Sequence, residues 1–464
     1  MQISMPNKKY ISILIIFSLV FTACLRKQEV QVVKSEAVTL TFYGLFDNED
    51  LYSPIIKAFE LENRNVSIIY KKFTDPESYL SLIVNELAEG KGPDIFMLHN
   101  TWFPDNYKKL KSSPSSVVTP ETFRNAFVQV TSDDMIIPDS NNIEQVYGAP
   151  IYVDTLALYY NQTQFNDAVP ERGKPASTWS GIVGDVIELN KQDNSYERFK
   201  RSGIAMGRGD NILRSFDILM LLFLQNKVNF YTSDLRSVDF ADDENAVTAL
   251  DIYSSFGLPS KANYSWNKYI ADADSSEKEI TTFARGKVSM IFGYSYTYED
   301  IINEISRLKA LGEEVIDINS IKIQEVPQMF DPTCSSDTRK TYASYFAPVV
   351  ARTSANSDLA WKFIATLVSE SNQIYLNENT HRPSGRRSLI TAQSQDPIYG
   401  AFADQVGYAQ SIPMYNFYKY KSVFLNAISE ILTTADTAKV IKNTAEQIQN
   451  FIPNEGIKPV LKIE

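Results

Sequence analysis

Cysteine and histidine are scarce in this sequence, with 2 of each in 464 residues. Neither His99 nor His381 belongs to an H-E-x-x-H pairing, so a hydrolytic zinc centre lacks its usual ligands and no metal site is expected. The phosphate-cradling pattern G-x-x-x-x-G-K-S/T does not occur. Gly293-Tyr294-Ser295-Tyr296-Thr297 carries threonine where a nucleophile elbow needs its second glycine, so Ser295 is not read as a nucleophile. Positive charge is also in deficit. Lys and Arg number 45 against 56 Asp and Glu, a net charge of −11, which speaks against nucleic acid as a partner. Past the N-terminus no apolar run is long enough to cross a bilayer; the best, 218–224, suits a buried helix or strand.

At the N-terminus, Lys8 and Lys9 precede the apolar run 11–21 and the small residues Thr22 and Ala23, ahead of Cys24. A charged start, a short apolar stretch and small residues before a cleavage point describe a signal peptide, and cysteine directly after Ala23 predicts lipidation at Cys24. A lipoprotein signal usually has Leu three residues before the cysteine; Phe21 stands there, and an ordinary secretory signal or an uncleaved anchor is the alternative. The reading gives a signal peptide over 1–23 and a lipidated polar tether over 24–37. It places the mature chain on the outer face of the cell membrane. Loss of Lys8 and Lys9 takes the net charge from −11 to about −13. With Cys24 carrying lipid, only Cys334 remains, so no internal disulfide can form and a cysteine metal site is excluded.

The stretch 38–43 is β-rich and alternating. Ser53-Pro54 then predicts a helix start, with Ser as N-cap and Pro at the first helical position. A second strand follows over 66–73. Asp75-Pro76 caps a second helix with Leu80, Ile83, Val84 and Leu87 on one face, and Gly90 ends it before a third strand at 94–98. The order β-α-β-α-β argues for parallel strands whose ligands sit beyond their carboxyl ends, which nominates the loops 44–50, 74–77 and 99–105. The run 146–161 reads as two extended pieces around a bend at 148–150, a candidate crossover. Helical patterns at 182–189, 213–224 and 246–253 and a strand at 288–292 fit a second α/β lobe. A strand at 345–350 leads into a helix carrying Ala360, Phe363, Ile364 and Leu367, and 422–451 is largely helical.

Together these residues resemble the family-1 extracellular solute-binding proteins, the receptors of ABC importers for sugars. The resemblance rests on Gly92-Pro93-Asp94-Ile95-Phe96, on the 148–161 run followed by Phe165 and Thr178-Trp179, on the 283–293 run Phe283-Ala284-Arg285-Gly286-Lys287 through Gly293, and on Ala360-Trp361-Lys362-Phe363-Ile364, in that family's order and spacing. It implies an α/β fold of the two-lobed, type II periplasmic-binding-protein kind, each lobe a doubly wound sheet flanked by helices. Lobe 1 would comprise 38–149 and 345–394, and lobe 2 150–344 and 395–464. The implied function is capture of a carbohydrate, an oligosaccharide, and its delivery to the transmembrane subunits of an ABC permease. The expected state is a membrane-tethered monomer with no cofactor and no bond chemistry.

Binding a sugar requires flat apolar faces and hydrogen-bonding edges on two surfaces that converge. Trp102 lies in a nominated loop, with core packing as the alternative. Tyr294 and Tyr296 flank Ser295 after a buried strand, where the family places stacking aromatics. Trp266 and Tyr415 sit in polar contexts and are weaker candidates, and Trp179 and Trp361 read as core. Asp154 lies in the crossover, where a carboxylate can accept two sugar hydroxyls, or else cap a backbone group of the hinge. Asp47 and Asn48 are candidate hydroxyl contacts or a solvated turn. Arg382, Arg386 and Arg387 read as an interlobe ion pair or solvated loop, and Arg208-Gly209-Asp210 as a turn. Open alternatives are a secreted glycosidase, whose carboxylate spacing sequence does not give, a receptor for a polyamine, peptide or organic acid, and a scaffold or adhesin.

Overall fold

The computed structural model describes residues 37–192, 199–271, 278–330, 338–434 and 436–460. The expected signal peptide, Cys24 and Cys334 lie outside the described residues.

The chain opens with β1 (Val38–Leu45), α1 (Glu49–Glu62), β2 (Val66–Phe73), α2 (Pro76–Ala88) and β3 (Ile95–His99). It continues through β4 (Asp154–Thr155), β5 (Ala157–Asn161), α3 (Ser215–Gln225), β6 (Met290–Gly293), α4 (Thr297–Ala310) and β7 (Ile321–Gln324). Then come β8 (Thr341–Ser344), β9 (Phe346–Val350), α5 (Ser357–Leu367), β10 (Ala409–Gln410) and α6 (Phe417–Thr434).

Local chemistry sets most of these boundaries. Asp75 accepts the Ser78 backbone N–H at 2.8 Å with Pro76 at the first helical position, so α2 starts where its sequence signature lies. Gly90, at φ +71°, ends it in the left-handed region that glycine enters without strain. Helix α1 differs from expectation: it begins at Glu49 after Asn48, and Pro54 lies inside it. Glu49 and Asp50 suit the positive helix N-terminus, and Tyr52, 1% exposed, anchors the first turns by donating to Asp47 at 2.8 Å.

The first sheet has the order β9-β3-β1-β2. Strands β1 and β3 are parallel, with Phe42 opposite Ile95, as the βαβ crossovers require. Strand β9 is antiparallel to β3 because it arrives directly from β8 through Tyr345 rather than over a helix, and this sets Phe346 opposite His99. Phe42 packs edge-on against Tyr52, Tyr70 and Phe363 at 5.4, 5.2 and 6.1 Å, so α1 and α5 close one apolar layer over this sheet. Gly44 has no room for a Cβ, which would lie 1.9 Å from the Tyr70 hydroxyl; that hydroxyl reaches the next loop by donating to the Asp47 carbonyl at 2.8 Å.

The remaining elements surround two three-stranded sheets, β6-β5-β7 and β10-β8-β4. The first of these is antiparallel throughout; in the second, β8 is parallel to β10 and antiparallel to β4. One apolar core runs from Leu156 to Ile457 and takes no described residue between Tyr342 and Tyr399. The chain therefore passes between the two sheet systems around 147–154 and at Tyr345. Tyr345 is pinned there: its hydroxyl donates to Asp134 at 2.6 Å and its backbone N–H to Asn100 at 3.3 Å.

Candidate functional site

The carboxyl ends of β1 and β3 and the amino end of β9 lie together because β9 runs against β3. They present Phe46, His99, Trp102 and Phe346. Phe346 packs on His99 at 4.7 Å, on Trp102 at 5.5 Å and on Phe46 at 5.9 Å between ring centres. The His99 imidazole is fixed at both nitrogens, with Nδ1 accepting the Thr101 N–H at 3.3 Å and Nε2 3.0 Å from Ser344 Oγ. Burial, aided by the nearby Lys421 ammonium, lowers its pKa to about 3, so it stays neutral. Trp102 is 3% exposed, and its indole N–H has no hydrogen-bond partner among the described residues.

Helix α6 meets this group from the second sheet system. Tyr420, Phe424, Ala427, Ile428 and Ile431 form its buried stripe. Phe417, Tyr418 and Lys421 lie off that stripe in the first turns, and Phe417 reaches His99 at 6.0 Å while Tyr418 reaches Trp102 at 6.4 Å. Phe417 in turn packs on Phe216 of α3 at 6.0 Å. Residues remote in sequence thus form one continuous aromatic array across both sheet systems.

Beside the array lies a polar wall. Arg214, just before α3, sits over the rings of Tyr294 and Tyr296 at 5.2 and 5.4 Å and donates to the Tyr296 hydroxyl at 2.5 Å. Its ion-pair partner Asp217 is 3.7 Å away. Desolvation is the largest influence on both charges, yet Arg214 keeps 25% and Asp217 17% of its side-chain surface. Both groups are thus enclosed by protein yet still reach solvent. Tyr294 and Tyr296 stack at 6.0 Å; Tyr296 is 43% exposed, while Tyr294 is buried with its hydroxyl unpartnered among the described residues.

The structure brings Trp102, Tyr294 and Tyr296 to this region and puts the other predicted residues elsewhere. Asp154 is 1% exposed and does not reach solvent: its carboxylate accepts the Ser295 hydroxyl at 2.6 Å, the Ser295 N–H at 3.1 Å and the Thr155 N–H at 2.9 Å. It anchors the turn carrying both tyrosines to the crossover strand, with the Ser295 hydroxyl as donor. Asp47 pairs with Arg382 at 2.5 Å, and Arg382 lies 4.4 Å over the Tyr152 ring. Asn48 is exposed and accepts Lys72 at 2.7 Å. Trp266 is a core residue, 0% exposed, donating to Asn211 at 2.9 Å. Tyr415 packs partly buried on the core ahead of α6. Trp179 and Trp361 are buried, donating to Gln225 and to the Lys111 carbonyl.

Sequence reasoning missed Phe346, Phe417, Tyr418, Arg214, Asp217 and Lys421, and considered His99 only as a zinc ligand. A signal existed for some of them. Arg214 and Asp217 stand three apart at the entrance of the otherwise apolar α3, where an unexplained charge pair marks a surface. Among the described residues no three His, Cys, Asp or Glu gather as metal ligands do.

Several buried acids make stability depend on pH. Asp134, Asp154 and Glu279 are each at most 7% exposed, and burial raises each pKa to about 6. A folded pKa above the unfolded value favours the neutral form. The stabilising contribution is therefore full below about pH 4 and is lost as pH rises through 6, at about 1.4 kcal/mol per group per pH unit. His99, lowered to about 3, acts in the opposite sense as pH falls from 6.5, but is outnumbered. The melting temperature should rise as pH is lowered from 7 to 5, with a shallower slope in Asp154→Asn. Calorimetric scans showing a fall over this interval would contradict the assignment.

Residues 54–399 match the bacterial extracellular solute-binding protein family. Among solved structures, the sugar-binding protein MalE from Xanthomonas citri is similar with a TM-score of 0.70 and 16% identity, over 89% of this chain and 96% of that one. The maltose-binding periplasmic protein MalE from Listeria monocytogenes, in complex with maltose, gives 0.68 and 16% over 90% and 98%. The cyclic alpha-maltosyl-1,6-maltose binding protein from Arthrobacter globiformis gives 0.67 and 16% over 89% and 98%. No curated protein sequence matches this chain. Identities this low carry the fold, a two-lobed periplasmic-binding-protein architecture. No helix among the described residues is long and apolar enough to cross a membrane. The match over 54–399 takes in strands of both sheet systems and His99, Trp102, Phe216 and Phe346 of the aromatic array, and on it this chain belongs to the bacterial extracellular solute-binding proteins.

Proposed function

We propose that this protein captures a carbohydrate, an oligosaccharide, in the cleft bounded by the aromatic array and hands it to an ABC permease without altering it. The observation that carries the reading is the convergence of His99, Trp102 and Phe346 from the first sheet with Phe417 and Tyr418 from α6. Aromatic faces with hydrogen-bonding rims are what a sugar ring requires. The sugar ligands named for its structural neighbours support the same class. Trp102, Tyr294 and Tyr296 are proposed as contacts, joined by Phe346 and Tyr418. Asp47 and Asp154 act by positioning.

Lobe 1 is taken as 38–149 with 345–394 and lobe 2 as 150–344 with 395–464; the core that passes over the segment between Tyr342 and Tyr399 supports the division. Ligand contacts from both lobes would favour a closed population, the form a permease reads. The chain acts as a monomer held to the membrane by lipid on Cys24. Replacing Cys24 by alanine should move it from the membrane fraction to the soluble fraction, and retention would sink the lipid assignment.

Calorimetry against a panel of neutral and acidic oligosaccharides, with mass spectrometry of the recovered ligand, tests the function. Saturable binding with the sugar recovered intact is expected. No binding by any sugar at millimolar concentration, or recovery of cleaved sugar, would overturn it.

A further inference from the structure

We infer that the captured sugar bears an anionic group, a carboxylate or a sulfate, received by Lys421 beside Arg214. The inference rests on the sugar-binding reading and narrows its substrate class.

Lys421 stands one helical turn beyond Phe417 and Tyr418, at spacings that put it on their side of α6. It is only partly exposed and makes no hydrogen bond or ion pair among the described residues. Its electrostatic neighbours come from several elements: His99, which is neutral, Asp217 and Arg214 at the start of α3, and Lys278. Among the described residues Asp217 is thus the one carboxylate set against both Lys421 and Arg214, and Arg214 is its ion-pair partner. The other acids near Arg214 are engaged or outside. Glu279, 1% exposed, accepts the Leu213 N–H with both oxygens at 2.9 Å, and Asp300 is exposed to solvent. Lys278 itself donates to the Asp210 carbonyl at 2.8 Å.

The neutral groups point the same way. The Trp102 indole N–H and the Tyr294 hydroxyl are buried and unpartnered among the described residues. Both can donate, and the indole can only donate. A wall with unused donors, and two cations that among the described residues share the one Asp217 carboxylate, fits a ligand rich in acceptors that carries negative charge. An uncharged sugar would leave the Lys421 ammonium and Arg214 to share the Asp217 carboxylate once closure desolvates them.

The test is calorimetry on the full chain with matched pairs: trigalacturonate against its neutral methyl ester, and a sulfated lactose against lactose. Preference for a carboxylate or for a sulfate identifies the source of the charge. At least one acidic member should bind about tenfold or more tightly than its neutral partner, consistent with one charge-assisted hydrogen bond. Lys421→Met should abolish that preference while leaving the melting temperature unchanged or higher, since it removes a partly desolvated cation. Equal affinity within both pairs, or a preference that survives Lys421→Met, would overturn the inference and leave sugar capture standing. Failure of every member to bind would overturn both.

Discussion

Replacing Arg382 by alanine should lower the stability of this protein by about 3–5 kcal/mol, the usual result of removing one partner of a buried ion pair. Arg382 and Asp47 are 14% and 13% exposed and meet at 2.5 Å. Burial opposes the guanidinium charge, but Asp47, Tyr152 and Tyr52 around it raise its pKa, so the arginine stays charged. Asp47 also accepts the Tyr52 hydroxyl, which roots α1, and the arginine lies over Tyr152 in the crossover. Its loss would strand a carboxylate between the first sheet and the segment that leaves it. The double variant Asp47→Asn with Arg382→Met should recover most of the deficit, because no unpaired charge then remains. Denaturant titration of the three proteins decides the matter; a single-variant loss under about 1 kcal/mol would place the pair among surface ion pairs of little effect.

Trp102→Ala should abolish measurable sugar binding, a loss of about a hundredfold or more, because it removes one of the two rings, with His99, that join the sides of the array and opens a cavity of the kind that costs about 3–5 kcal/mol. Stability alone would not explain the binding loss, so Trp102→Phe is the informative partner. It keeps an aromatic face against Phe346 and removes the unpartnered indole N–H. The folded state should tolerate it or gain slightly, since a buried donor without an acceptor is unfavourable, while affinity should fall by about tenfold if the ligand supplies that acceptor. Unchanged affinity in Trp102→Phe with restored stability would make Trp102 a packing residue only.

Much of the first sheet system is legible in the sequence. Its strands alternate, Asp75-Pro76 and Gly90 bracket a helix by local chemistry, and the βαβαβ order nominates the loops that carry Phe46 and Trp102. The start of α1 was misplaced because Ser53-Pro54 is a stronger local signal than Glu49 and Asp50, whose acidity and the burial of Tyr52 prevail in the folded chain. The cleft was less legible, for a physical reason. Its members are brought together over long separations, as with His99 Nε2 and Ser344 Oγ, 245 residues apart, and no local pattern encodes that closeness. Asp154 shows the complementary difficulty. A carboxylate in a crossover can face a ligand or a backbone, and the choice turned on Ser295, 141 residues away. Trp266 reads as a weak contact candidate because its sequence neighbours are polar, but the fold buries it against Asn211, 55 residues away, which accepts its indole proton.

Small-angle scattering with and without a saturating sugar tests the central claim most directly. The account predicts a smaller radius of gyration once the cleft is occupied, reversed when the intact sugar is removed by dialysis. A sugar that binds with no change in the scattering profile would contradict it.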